Sequence, residues 1–462
     1  MLVTELVQRM KHLRTRRLVS ALTLTALVGT ATLFGPGSAG PAYADSSTPL
    51  PADWITDTVV DGVHKRVFMS APNSDSVLVA DYDGNLVGQI PGEQGASGLA
   101  LSEDSGTLYV GLSEGEAIAA IDTGSLTETA RYATGTGNQP STPVVTGGKV
   151  WFSFYGSRGG GIGAVDLSGA EPVVTTDEVP AYAWYNAPLL AASPAAPGTL
   201  VAGEVGSSPA TMAVYDVTSG HPVQKANVWN PGGGTSNLRD MAIAADGENV
   251  VVASGAPYKQ QVFKLSDLTA NGSYPTNPYP NAVAIAPDGT VAAGIDGYYE
   301  DDIYLFTPGA AAAYRTYEVK GTTNATLSTR GLEWAPDGSR LFAITGSGTT
   351  LQLKVLTEAA KADSQLTVTA PATAPSGPPL TVSGTLTAKL PYAEGTSVEV
   401  TRTGPSGGSA VPLGSATVAA DGTFKVTDRP RGEGDVTYTV TYRGDARHTA
   451  ATATATVALT GR

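Results

Sequence analysis

The sequence predicts an all-β fold, a seven-bladed β-propeller followed by a C-terminal β-sandwich, on three observations. Glycine-marked hairpin turns recur at Gly62, Gly106, Gly147, Gly198, Gly247, Gly289 and Gly338, in steps of 41 to 51 residues. Self-similarity at about 40–50 residues is the period of a four-stranded propeller blade. Near-continuous apolar runs flank these turns, as in strands covered on both faces by neighbours. After Thr357 the composition shifts to Thr, Val and Ala in strict alternation, the pattern of strands with one buried and one wet face.

The first 44 residues read as a secretory leader. Arg9, Lys11, Arg14, Arg16 and Arg17 form a basic region, Leu18 to Phe34 an apolar stretch, and Ala42-Tyr43-Ala44 an A-x-A cleavage signal, so cleavage is expected after Ala44. Arg16-Arg17 leaves the export route open between general secretion and twin-arginine transport. The apolar stretch is shorter than the ~20 residues a membrane span needs, and membrane insertion is not expected. The chain has no cysteine, which removes disulfides and thiolate metal ligands. Stability must therefore come from core burial, and a 300-residue domain buries about 75% of its unfolded surface. The net charge of −14 falls to −18 without the leader. That excludes a general nucleic-acid binder, which needs basic patches.

Residues 45–53 are polar and proline-containing and read as a linker; residues 54–357 carry the repeats. The clearest copies are Ala282-Val283-Ala284-Ile285-Ala286-Pro287-Asp288-Gly289 and Gly331-Leu332-Glu333-Trp334-Ala335-Pro336-Asp337-Gly338, with Met241-Ala242-Ile243-Ala244-Ala245-Asp246-Gly247 as a third. Each is a strand running into a turn where glycine accepts positive φ. A second strand follows, as in Leu108-Tyr109-Val110 and Val250-Val251-Val252, and a third closes on aspartate at Asp81, Asp122, Asp166 and Asp216. Aspartate there bonds its own backbone and starts the next turn. The third and fourth repeats lack the Pro-Asp-Gly turn.

This pattern of strand, Pro-Asp-Gly, strand and aspartate resembles the YVTN-type propellers, bacterial relatives of the WD40-like repeats, over residues 54–357. No Trp-Asp dipeptide closes a blade, which separates the chain from true WD40 repeats. Blade count and the strand that closes the ring stay open at this point. Residues 358–364 read as a short linker. Residues 365–459, with Val436-Thr437-Tyr438-Thr439-Val440-Thr441-Tyr442, Ala420-Asp421-Gly422-Thr423-Phe424 and Tyr442-Arg443-Gly444-Asp445, resemble the immunoglobulin-like sandwich modules of bacterial surface proteins. The whole resembles a secreted protein of actinobacterial type.

Candidate chemistry is sparse. His64, His221 and His448 fall in no metal-ligand spacing, and Gly404-Pro405-Ser406-Gly407-Gly408 lies in a glycine-rich loop rather than a strand–helix elbow. No catalytic residue is assigned. The loop aromatics Tyr182, Trp184 and Tyr185, then Tyr274 and Tyr279, then Tyr298 and Tyr299, are the ligand-binding candidates, because flat rings with polar tips suit sugar or peptide contact. Asp296, Glu300, Asp301 and Asp302 place four carboxylates within seven residues, a candidate Ca²⁺ site; no other cofactor is implied. The expectation is a secreted monomeric binding or scaffold protein whose propeller face takes an extracellular glycan, peptide or protein. The alternative is a propeller lyase or lactonase-type hydrolase with its site in the central channel.

Overall fold

The computed structural model describes residues 46–461 apart from Tyr298, 320–324, 348–349 and Ser406. The leader expected over residues 1–44 lies outside the described residues. Seven four-stranded antiparallel sheets form the blades of a propeller. Blades 1 to 6 span residues 58–91, 96–133, 139–184, 189–229, 236–275 and 280–317. Blade 7 takes three strands from residues 326–357 and its fourth from Ser46–Pro49. The first strand of each blade touches the first strand of the next, and that of blade 7 touches that of blade 1. The ring is closed, with the first strands around a central channel.

Closure comes from the segment expected as a linker. Ser46–Pro49 pairs antiparallel with Thr350–Thr357, Ser47 opposite Lys354 and Pro49 opposite Gln352. Its polar composition suits an outermost strand, and its exposure alternates residue by residue. Leu50 N–H then donates to Leu351 O (2.9 Å), and the Leu50 side chain enters the core between blades 7 and 1.

Burial explains the unalternated apolar runs. In blade 1, Val77 and Val79 pack towards blade 2, while Leu78 and Ala80 pack towards blade 7. Strand geometry sends successive side chains to opposite faces, and here both faces meet a neighbour. Seven apolar clusters result, one at each interface between adjacent blades.

The glycine turns join the first strand to the second. Gly247 has φ +68°, and a Cβ there would collide with the carbonyl oxygen of Ala195 in the matching turn of blade 4. At the Gly62 and Gly106 turns, positive φ falls instead on Lys65 (54°) and Ser105 (58°). The turns joining third to fourth strands lie on the same face and are organised by carboxylates. Asp166 Oδ1 accepts from Ser168 N–H (2.9 Å) and Oγ (2.6 Å), and Asp216 Oδ1 accepts from Thr218 N–H (3.0 Å) and Oγ1 (2.6 Å). Asp122 and Asp267 do the same for Ser125 and Thr269.

The C-terminal unit is a two-sheet sandwich. Gln365–Thr369, Leu380–Thr387 and Thr423–Asp428 form one sheet; Thr373–Pro375, Ala451–Thr460, Gly434–Tyr442, Ser397–Thr403 and Val411–Thr417 form the other. The residues between propeller and sandwich, expected as a linker, are docked rather than loose. Ala359 and Ala362 are fully buried, and Leu390 of the sandwich joins the core between blades 6 and 7. Arg315 of blade 6 donates from Nη1 to Glu358 O (2.8 Å) and Lys361 O (3.0 Å) and pairs with Asp363 (3.1 Å).

Two predictions follow from this architecture. Deleting residues 46–50 exposes the ladder edge of Thr350–Thr357 and removes the Leu50 side chain from its core. The expected loss is about 2–4 kcal/mol, read as a lower urea midpoint; an unchanged midpoint would contradict a closing role for Ser46–Pro49. On the turn face, the Ser168 hydroxyl and N–H hold Asp166 down to about 2, and those of Thr218 hold Asp216 down to about 2. A depressed carboxylate contributes stability above its unfolded pKa, about 3.9, that is lost as pH falls through the folded value. The melting temperature should therefore drop between about pH 4 and pH 2, and replacing both aspartates by asparagine should shrink that drop.

Candidate functional site

Antiparallel blades give the propeller two unlike faces. The turns after first and third strands lie on one face, built on the aspartates and glycines above. The loops after second and fourth strands, and the starts of the first strands, lie on the other. Hydrogen bonds between those loops tie this second face together: Tyr185 N–H donates to Glu204 Oε1 (3.1 Å), and Asp296 N–H to Tyr279 O (2.8 Å). Trp54, Tyr155, Tyr185, Trp229, Tyr258, Tyr279 and Tyr299 are the exposed aromatics among the described residues. All seven lie on this loop face, at the ends of second or fourth strands or in the loops that follow them.

The residues expected from the sequence divide. Tyr185 and Tyr299 stand out into solvent, 79% and 96% exposed, and Tyr279 stands edge-on against Tyr258 with ring centroids 5.1 Å apart. Trp184 and Tyr274 are core residues instead. Trp184 is the last residue of the outer strand of blade 3, and its ring is buried between blades 3 and 4. Tyr274 packs on Phe306 (5.1 Å) between blades 5 and 6, and its hydroxyl accepts from Gly309 N–H (3.1 Å). Both lie on strands, where alternation turns one ring inward beside an outward neighbour. Tyr298 and the Tyr182 side chain lie outside the described residues.

The acidic cluster does not converge. Asp302 is fully buried and accepts from Val319 N–H (2.7 Å) through Oδ2, whereas Glu300 accepts from Tyr299 N–H (3.2 Å) and Asp296 is exposed on a cavity rim. Among the described residues no group of three or more His, Asp or Glu side chains forms a metal cluster. Asp302 instead continues the ladder beside the third strand of blade 6, its N–H donating to Tyr317 O (2.8 Å) and its carbonyl accepting from Ile295 N–H (2.9 Å). The histidines are elsewhere. His64 pairs with Asp61 (2.7 Å) on the turn face, His221 with Glu178 (3.0 Å), and His448 with Asp445 (2.9 Å) inside the sandwich.

The channel holds residues that the sequence reading missed. A cavity of about 310 Å³ along the axis is bordered by Asp57, Thr58, Asp240, Arg330 and Glu333, drawn from blades 1, 5 and 7. Two of the acids tie neighbouring blades together. Leu99 N–H donates to Asp57 Oδ2 (2.9 Å), and Val283 N–H donates to Asp240 Oδ2 (2.8 Å). Arg330 donates from Nη2 to Thr56 O (2.6 Å). The Thr58 hydroxyl is buried with no hydrogen-bond partner. Burial pushes Asp240 up to about 7 against its backbone hydrogen bonds and the Arg330 charge. Burial, then the charges of Asp57 and Asp240, push Glu333 up to about 8. Burial raises Asp57 as well, with Arg330 opposing it.

The first strands of five blades share a further feature, a slip of the ladder near their loop-face ends. It falls at Ala96/Leu99, Pro140/Pro143, Leu238/Asp240, Pro280/Ala282 and Leu327/Leu332. A slip re-aims side chains, and the skipped residues include Ser141, Arg239, Asn281 and Arg330. These four border two cavities at the channel mouth, of about 470 and 200 Å³.

No protein-family model matches the chain, and no curated protein is detectably similar. Solved structures share the fold. Kuenenia stuttgartiensis hydrazine synthase aligns at 16% identity with a TM-score of 0.53, over 71% of this chain and 99% of that one. The β-propeller domain of Cps50 (Swd1) from Myceliophteria thermophila aligns at 13% identity with a TM-score of 0.51, over 66% of this chain and 97% of that one.

The channel acids give a sign for pH dependence opposite to that of the turn face. The folded values of Asp240 and Glu333 lie above the free-carboxyl values of about 4, so their contribution is complete below about pH 4 and is lost as pH rises through about 7–8. The melting temperature should fall from pH 5.5 to pH 8.5 by this route. Glu333→Gln should flatten the fall by raising the value at pH 8.5; an equal slope in the variant would remove Glu333 from the account.

Proposed function

We propose that the propeller is a non-catalytic binding module of the extracellular space whose loop face holds a glycan. One observation carries this reading: all seven exposed aromatics among the described residues lie on that face, where Tyr279 borders one of the two cavities at the channel mouth. Aromatic rings offer flat apolar surface with polar edges, and exposed rings gathered on one side of a protein mark an interaction surface. The C-terminal sandwich, read as an immunoglobulin-like module, serves as spacer or accessory binder, and the chain acts as a monomer after its leader is removed.

A second reading is favoured by the channel carboxylates. Groups held near 7 and 8 are suited to general acid–base work at neutral pH, as a lyase or lactonase-type hydrolase would need. His64, His221 and His448 stand outside the channel lining, which leaves such an enzyme to the carboxylates and Arg330 among the described residues.

A glycan array probed with the leader-free chain tests the binding reading. Tyr185→Ala, Trp229→Ala and Tyr279→Ala should each weaken binding by roughly three- to tenfold while leaving the melting temperature within about a degree of wild type, because exposed substitutions cost little stability. Binding unaffected by all three would place the ligand elsewhere; turnover of a sugar lactone or uronide lost in Glu333→Gln would favour the enzyme.

A further inference from the structure

The two cavities at the channel mouth share one side chain. Arg239 borders the larger together with Tyr279, Asn281 and Asp296, and the smaller together with Ser141, Thr329 and Arg330. The smaller cavity is thus lined by arginines from blades 5 and 7, with no Asp or Glu among its lining residues, in a chain of net charge −14. Each arginine sits at a slip of its first-strand ladder, and Arg330 takes φ 56°, in the left-handed region that residues other than glycine seldom adopt.

Arg239 is steadied from one side. With the Asn237 amide turned so that its oxygen faces the guanidinium, it accepts from Arg239 Nε (3.2 Å) and Nη2 (3.0 Å). Arg330 is held through Nη2 by Thr56 O. A guanidinium carries five N–H donors, so each arginine keeps donors beyond these bonds. Arg330 also borders the axial cavity, which places its charge between the channel acids and the mouth.

The larger cavity carries an unfilled acceptor. Asn281 Nδ2 donates to Leu327 O (2.7 Å), which fixes the amide's orientation, and Oδ1 is buried without a hydrogen-bond partner. A buried acceptor left unmade is costly, and a ligand hydroxyl would fill it. The exposed Tyr279 ring borders the same space. Asp296 borders it too, and its charge disfavours an anion there, so a ligand with one acidic end must point that end towards the arginines.

We propose that this mouth seats an acidic sugar. Its carboxylate lies in the smaller cavity between Arg239 and Arg330, its ring lies against Tyr279, and a ring hydroxyl donates to Asn281 Oδ1. Planar guanidinium forks match carboxylate oxygens two by two, and the cavity of about 470 Å³ is of ligand size. This assignment rests on the reading of the loop face as a glycan binder and names the class of sugar.

Calorimetric titration with short oligogalacturonides, their methyl esters and neutral oligosaccharides tests it. The free acids should bind at least about tenfold more tightly than the esters, because hydrogen bonds to a charged partner are lost on esterification. Arg239→Gln should reduce that difference to about twofold or less. Arg330→Lys, which keeps charge but loses the fork, should weaken acid binding alone, and Tyr279→Ala should weaken both. Unchanged melting temperatures would confirm that the variants are folded. Esters bound as tightly as acids, or acid binding unchanged in folded Arg239→Gln, would overturn the proposal but leave a glycan-binding face standing. Failure of the wild type to bind any sugar, acidic or neutral, would overturn the glycan reading itself. Capture of free-carboxylate peptides in place of sugars, lost in Arg239→Gln, would reassign the mouth to peptide termini.

Discussion

A sheet with two apolar faces needs two neighbours. Every blade of this propeller is such a sheet, and the arrangement is stable only because the last blade meets the first. The seven inter-blade cores are therefore one connected requirement rather than seven separate ones. Closure also fixes the axis. The first strands are held side by side around it, and cross-blade bonds from Leu99 N–H to the Asp57 carboxylate and from Val283 N–H to the Asp240 carboxylate join neighbours where the ladders slip. The carboxylates that bridge the blades are thus also the charges of the channel.

The aspartates of the two faces show how far environment decides what one side chain does. On the turn face, Asp166 and Asp216 receive hydroxyl and amide donors in water and stay ionised well into acid. Around the axis, Asp240 also receives amide donors, but burial outweighs them and carries it to about 7. The first set organises local hairpins. The second, its carboxyls pushed up by burial, lies beside an arginine at the inner end of a mouth lined by polar and aromatic groups.

The turn face was legible in the sequence because each of its features is local. Asp-Gly pairs and strand-closing aspartates act within a few residues, and seven glycine-marked turns make the period plain. The loop face was legible in part, for the same reason: Tyr185, Tyr279 and Tyr299 lie just beyond strand ends and are exposed, while Trp184 and Tyr274 still belong to strands and turn inward. The channel was not legible. Asp57, Asp240, Arg330 and Glu333 are far apart in the chain and meet only when the ring closes. A faint signal existed: Thr56-Asp57-Thr58-Val59 and Arg239-Asp240-Met241-Ala242 each set an aspartate at the entry to an apolar first strand, a repeat within the repeat. The ring-closing strand escaped notice because an outer strand pairs through its backbone and needs no apolar pattern.

That strand has a consequence for how the chain comes to be folded. Ser47 donates from Oγ to Gln352 Oε1 across the last ladder, between residues 305 apart in the chain. A chain delivered from its N-terminus presents Ser46–Pro49 before blades 1 to 6 and its partner strand after them, so those blades can assemble in order while the closing strand waits unpaired. Contacts of such long range set the pace of folding through the entropy of bringing the ends together. Until the final blade arrives, blade 1 exposes the face that carries Val67, Met69 and Leu78. The growing arc is a half-finished sheet stack with an open apolar end, and only the return of its own beginning seals it.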